Sequence, residues 1–179
     1  MIYIIGVDHK IQHGGRGQAN DAQRLLFYKY LEETIKKFDI RIIVEESNEE
    51  VLSMAIVKNC VARDISNKLN IKHIFCEPTK SDRRELGILN ENKICELLGI
   101  DILSLNKEDE DRLKEKHKEY SPIREKFWFE QFFEFRNQKI LMIIGAGHTS
   151  SFSEILKNNG CDYKIVNENW CYEMRSVLN

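Results

Sequence analysis

The sequence predicts an α/β protein, a mainly parallel β-sheet covered by helices on both faces, in a single domain over residues 1–179. Three observations lead there. The run Ile140-Leu141-Met142-Ile143-Ile144 is continuously apolar and of strand length, as in a strand buried on both faces. Other such runs alternate with helical patterns, the order that right-handed crossovers of a parallel sheet produce. Finally, the first and the Ile140 runs finish alike, as Gly6-Val7-Asp8-His9 and Gly145-Ala146-Gly147-His148. A histidine just past the carboxyl end of a buried strand sits where open α/β sheets bind ligands.

The elements follow in order. Met1 to Val7 is the first strand, followed by the polar loop Lys10 to Gly17 with glycines 14, 15 and 17. Ala22, Leu25, Leu26, Leu31, Ile35 and Phe38 recur at helical spacing, so a helix is expected from about Asn20 to Phe38. Ile40 to Val44 is the second strand, ending in Glu45-Glu46. Ser47 followed by Glu50 resembles a capping box, which predicts a helix from there to about Leu69. Ile71 to Cys76 is the third strand, ending in Glu77-Pro78. Thr79 to Leu89 is loop or short helix, and Asn90 to Leu98 is helical up to Gly99.

Lys107 to Glu119 is almost entirely charged and is read as a solvated helix. Ser121-Pro122 marks a helix start, with serine as cap and proline at the first helical position. The helix beyond carries Phe127, Trp128, Phe129, Phe132, Phe133 and Phe135, which predicts a core-facing element. After the Ile140 strand, Thr149-Ser150-Ser151 are expected to cap a helix ending near Gly160, and Tyr163 to Val166 is the last strand.

Composition narrows the function classes. The 179 residues are 42% hydrophobic and 31% charged, as in a globular domain with a core of its own. A net charge of −2 argues against binding nucleic acid by bulk attraction to phosphates. Cys60, Cys76, Cys95, Cys161 and Cys171 are odd in number, scattered and without a C-x-x-C pair, which favours reduced thiols over a disulfide framework. No leader-like N-terminus and no membrane-length apolar run stand out, so a cytoplasmic protein without membrane attachment is expected.

The chemistry lies at the strand ends. In a parallel sheet, Asp8-His9, Glu45-Glu46, Glu77 and His148 share one edge, where a pocket would lie. Imidazoles and carboxylates are the ligand set for zinc, manganese or iron, and without metal they supply a general base with its orienting acid. Side chains alternate along extended backbone, so one member of each adjacent pair should face the pocket. Arg124, one turn before Trp128, is a candidate clamp for an oxyanion or carboxylate. His73 reads as packed within a strand, and His13 and His117 as solvated.

These motifs resemble the TraB/PrgY–GumN–Tiki group, part of a wider superfamily with erythromycin esterases and haem-binding ChaN-like proteins. The paired motifs ending in His9 and His148 carry the resemblance, with Glu45 matching the family glutamate and Arg124 the family arginine. Tiki-like members imply metal-dependent proteolysis, and esterase-like members a histidine base. The leading expectation is therefore a metal-dependent hydrolase acting on a small molecule or peptide. It places a divalent ion on His9, His148 and Glu77, with Glu45 as base and Arg124 at the developing oxyanion. A different class of reading takes Gly145 and Gly147 as half of a dinucleotide fingerprint, with Ser150 in place of the third glycine. A non-catalytic haem- or metal-binding protein is the third reading.

Overall fold

Two central strands carry apolar side chains on both faces, so helices have to cover both sides of the sheet. The computed structural model describes residues 1–13 and 19–171. Its strands are β1 (Ile2–Val7), β2 (Ile42–Glu45), β3 (Lys72–Phe75), β4 (Ile140–Gly145) and β5 (Tyr163–Trp170). All pairings are parallel, in the order β3-β2-β4-β1-β5. Ile140 of β4 lies opposite both Ile2 and Ile42, so β1 and β2 flank the late strand. That order sets the carboxyl ends of the two histidine motifs side by side.

One face is covered by α1 (Asp21–Phe38), α2 (Glu49–Met54) and α3 (Val61–Leu69). There Phe27, Leu31 and Ile35, Leu52, and Val61, Ala62 and Ile65 pack on Ile5, Val7, Ile43, Leu141 and Ile143. The opposite face is covered by α7 (Ser121–Phe132) and α8 (Thr149–Asn158). Trp128, Phe129, Phe132, Phe152 and Leu156 pack there on Ile2, Ile4, Ile42, Val44, Ile140, Met142 and Ile144. Each strand divides its residues between the two layers by alternation. Between β3 and α7 run α4 (Lys80–Glu85), α5 (Glu91–Leu98) and α6 (Lys107–Lys118), with a small core of Ile94, Cys95, Ile100 and Leu113. The α/β class with helices on both faces is thus observed.

Several local expectations change. The helix expected from Ser47 to Leu69 is broken into α2 and α3, with Ile56 at φ 57° between them. Asn48 rather than Ser47 caps α2, accepting the Val51 N–H at 2.9 Å. A β-branched residue at positive φ cannot continue a right-handed helix, and Cys60, in extended conformation, opens the next one. Tyr120 precedes α7, which puts Ser121 inside the helix and Pro122 one place later than expected. A short 3₁₀ turn, Ala146–His148, leads directly into α8 without a side-chain cap. β5 continues to Trp170, which packs against Phe27 at 4.8 Å. His13 is buried rather than solvated. The glycines of the loop after β1, Gly14, Gly15 and Gly17, lie outside the described residues. Among the described residues, no helix is long and apolar enough to cross a membrane.

Candidate functional site

Alternation at the end of β2 separates its last residue, Glu45, from Glu46 just beyond it. Glu45 points toward the α1–α3 layer, where it meets Gln12, Cys60 and His73. Glu46 points toward α7 and the end of β4. Both side chains are almost inaccessible, so each requires polar partners.

Glu46 is the meeting point of the two histidine motifs. Its Oε2 accepts the Gly145 N–H at 2.7 Å and its Oε1 accepts Arg124 Nη2 at 2.6 Å. The Nε2 atoms of His9 and His148 lie 3.6 and 3.8 Å from that same Oε1. His9 is half exposed, and His148 is mostly covered by the edge of Trp128 at 4.9 Å.

The far nitrogen of each ring is tied down. His9 Nδ1 lies 2.6 Å from Gln12 Oε1, while Gln12 Nε2 donates to Glu45 Oε1 at 3.0 Å. Because the carboxylate needs a donor, the Gln12 amide is oriented with its oxygen toward His9, whose Nδ1 therefore carries the proton. His148 Nδ1 is 2.7 Å from Glu125 Oε1, an oxygen that also accepts Ser151 Oγ at 2.6 Å. A carboxylate only accepts, so this ring too is protonated at Nδ1. In their neutral forms both imidazoles present a bare Nε2 toward Glu46.

Arg124 bridges the carboxylates on this side. It reaches Glu77 through Nε to Oε1 at 3.1 Å and Nη2 to Oε2 at 2.9 Å, with its guanidinium carbon 5.1 Å from the Trp128 ring. Burial works against its charge, but the Glu77 and Glu46 carboxylates outweigh that and hold the guanidinium above its ordinary range. Glu77 is further bound by Arg83 and by the Trp128 N–H at 2.9 Å. Both of its oxygens are thus occupied, and its described partners include neither histidine.

The glycines interlock the two motifs. A Cβ on Gly145 would lie 2.5 Å from His9 Nε2, so the glycine of the second motif makes room for the histidine of the first. A Cβ on Gly6 would meet Thr149 Cγ2 at 2.6 Å and the carbonyl of Glu168. The first motif's glycine therefore makes room for the residue after the second motif's histidine. Gly147 faces open space. With its N–H already given to Glu46, Gly145 is occupied inside the site, and it is not free to cradle a phosphate.

On the other face, Glu45, Cys60 and His73 each offer a ligand atom, and these atoms all lie within 4.8 Å of one another. This is a group that could hold a metal ion. Cys60 Sγ donates to Glu45 Oε2 at 2.9 Å, and His73 Nε2 is 3.0 Å from the same oxygen. Burial, reinforced by the Glu45 charge, pushes the Cys60 thiol far up and keeps it protonated. Burial likewise raises Cys76, whose thiol donates to the Glu45 carbonyl at 3.2 Å.

Of the residues singled out by sequence, His9, His148 and Arg124 meet at one carboxylate, with Gly145 directly beneath them. That carboxylate is Glu46. Glu45 lies behind it and reaches His9 through Gln12. Gln12 and Glu125 are not singled out by the sequence, which reads Ser151 only as a helix cap and Cys60 only as one of five scattered thiols. Two of them stand three residues beyond a motif histidine, Gln12 after His9 and Ser151 after His148, a spacing that places a side chain back over one turn. Searches against protein-family models, curated proteins and solved structures found no match to this chain.

Proposed function

We propose that His9, Glu46, Arg124 and His148 form the centre of a metal-dependent hydrolase acting on an ester or amide of a small molecule or peptide. The observation that carries the reading is the convergence of two bare Nε2 atoms on one buried carboxylate, each ring anchored through Nδ1. A hydrogen-bond acceptor on the far nitrogen of each imidazole is how metal-ligating histidines are oriented. The donor set fits a divalent ion of the zinc, manganese or iron class. The charge fits as well. Glu46 and Glu77 are buried against Arg124 and Arg83, while the buried Glu125 faces His148 and Ser151 with no guanidinium among its described partners, so a cation is attracted. His9, His148 and Glu46 would hold the ion: each Glu46 oxygen accepts one described donor, whereas each Glu77 oxygen already accepts two, which excludes Glu77.

Such an ion supplies Lewis-acid polarisation of the scissile carbonyl. The chain's own groups do the rest. Gln12 holds His9 in the tautomer that leaves Nε2 bare to ligate the ion. Glu125 and Ser151 fix His148 in the same sense. Arg124 donates to Glu46 Oε1 and holds that carboxylate beside the two rings. A nucleotide-binding reading has less support, because the glycine-rich turn spends its Gly145 N–H on Glu46.

The test is elemental analysis of the full chain beside His9→Ala and His148→Ala, run with a panel of ester and peptide substrates. About one equivalent of divalent metal should disappear in each variant, and hydrolysis should fall by about 10²–10⁴-fold. Metal content unchanged by both substitutions would refute the proposed ligands. Hydrolysis that survives them would refute the site altogether.

A further inference from the structure

The buried carboxylate behind the pocket poses a separate problem. Glu45 is 1% exposed, yet its described partners are the Gln12 amide, the Cys60 thiol and His73, none of them a fixed cation. Glu46 and Glu77, on the other face, both have Arg124. Arg63 lies near Cys60 in sequence but pairs with Glu49 and stacks on Phe75 at 4.6 Å. A buried carboxylate without a charged partner is costly, and here it sits among two further metal-ligating side chains.

We propose that Glu45, Cys60 and His73 form a second, buried site for a zinc-class divalent cation, distinct from the His9–His148 pocket. The three donors come from three elements: the end of β2, the residue opening α3, and β3. Closing them on one ion would tie α3 and the edge strand β3 to the end of β2. Charge selects the ion. Thiolate and carboxylate together balance a divalent cation, and neutral His73 adds a third donor without net charge, leaving one tetrahedral position for a water. The thiolate favours zinc over magnesium or calcium.

Geometry allows it with a small adjustment. Donor atoms around tetrahedral zinc stand about 3.5 Å apart, so the Sγ–Oε2 contact of 2.9 Å and the Nε2–Oε2 contact of 3.0 Å need only open slightly. The proton balance is simple. Cys60 loses its S–H proton to solvent as the S–metal bond forms, and His73 moves its Nε2 proton to Nδ1, freeing Nε2 as the ligand. Position at the start of α3 favours the thiolate so formed. Gln12 already donates to Glu45 and would remain as its outer partner.

The experiment is cobalt titration of the full chain after chelator treatment, followed by absorption spectroscopy. A thiolate-to-cobalt charge-transfer band should grow to about one equivalent and vanish when zinc is added. The band should persist in His9→Ala and in Cys76→Ser, and disappear in Cys60→Ser. No such band in the wild type, or a band that survives Cys60→Ser, overturns the site. Zinc X-ray absorption on the wild type alone covers the case in which Cys60→Ser does not fold. One sulfur in the coordination shell supports the site, and a shell of nitrogen and oxygen alone overturns it. The latter result would leave the His9–His148 reading standing, whereas loss of that reading alone would leave the thiolate band in place.

Discussion

Adding one methyl group to either motif glycine should have opposite consequences. At Gly145 the new Cβ would meet the tip of His9, a half-exposed side chain that can swing aside. At Gly6 it would meet the backbone carbonyl of Glu168 and the methyl of Thr149, neither of which can retreat without moving β5 or α8. Gly145→Ala is therefore expected to keep stability within about 1 kcal/mol while abolishing whatever His9 does, and Gly6→Ala to cost about 1–3 kcal/mol. Thermal melts alongside metal content and hydrolysis separate the two. Equal destabilisation by both would show that His9 is as fixed as backbone. The residue scale is also where sequence was least informative. Alternation says that one of Glu45 and Glu46 faces the pocket, but the choice depends on where β2 stops pairing and on which layer α7 covers. Glu125 sits beside Arg124 and reads as one more charge on a helix until α7 is set against α8.

At the scale of elements, the aromatic helix divides sharply by position. Phe132 is fully buried between α8 and the sheet, whereas Phe133, its neighbour, is 42% exposed. Phe132→Ala should cost about 3–5 kcal/mol, and Phe133→Ala should stay within about 1 kcal/mol, both measurable by urea unfolding. A large cost at Phe133 would mean that its exposed face is covered in solution. Most elements were legible because apolar period and length agree, as in α1 with its Asn20 cap and in β4 with six buried residues. The break between α2 and α3 was not legible. Its apolar spacing continues the helical pattern through Ile56 and Val57, and the stop comes from a backbone conformation that no local residue preference announces. The tight 3₁₀ turn after β4 escaped for a related reason, since Thr149 and Ser150 mimic caps while the chain enters α8 without one.

Over the whole molecule, acid sensitivity follows from how its carboxylates are held. Side-chain bonds from Lys36 and Lys68 lower Glu32 below its ordinary value of 4.5, and the Thr79 hydroxyl and N–H lower Asp82 below 3.8. The unfolded chain binds these protons more readily, so the stabilisation is present above those ordinary values and lost as pH falls through the lowered ones. Urea midpoints should be flat down to about pH 5 and fall below it. Salt should reduce the Glu32 part, whose lysines are exposed. A midpoint that rose on acidification would contradict the assignment.

The strand order also dictates a timetable. β1 and β2 do not pair with each other; β4, made about a hundred residues after β2, is the strand that fills the gap between them. A growing chain therefore carries His9 and Glu46 for most of its synthesis with two unpaired apolar strand edges and no means of bringing them together. Nearly every sheet contact spans a long stretch of sequence, which makes for slow folding and prolonged exposure to chaperones and to self-association. Competence would arise in one late step, when Ile140–Gly145 slides into its slot and seats Gly145 and His148 at the same moment.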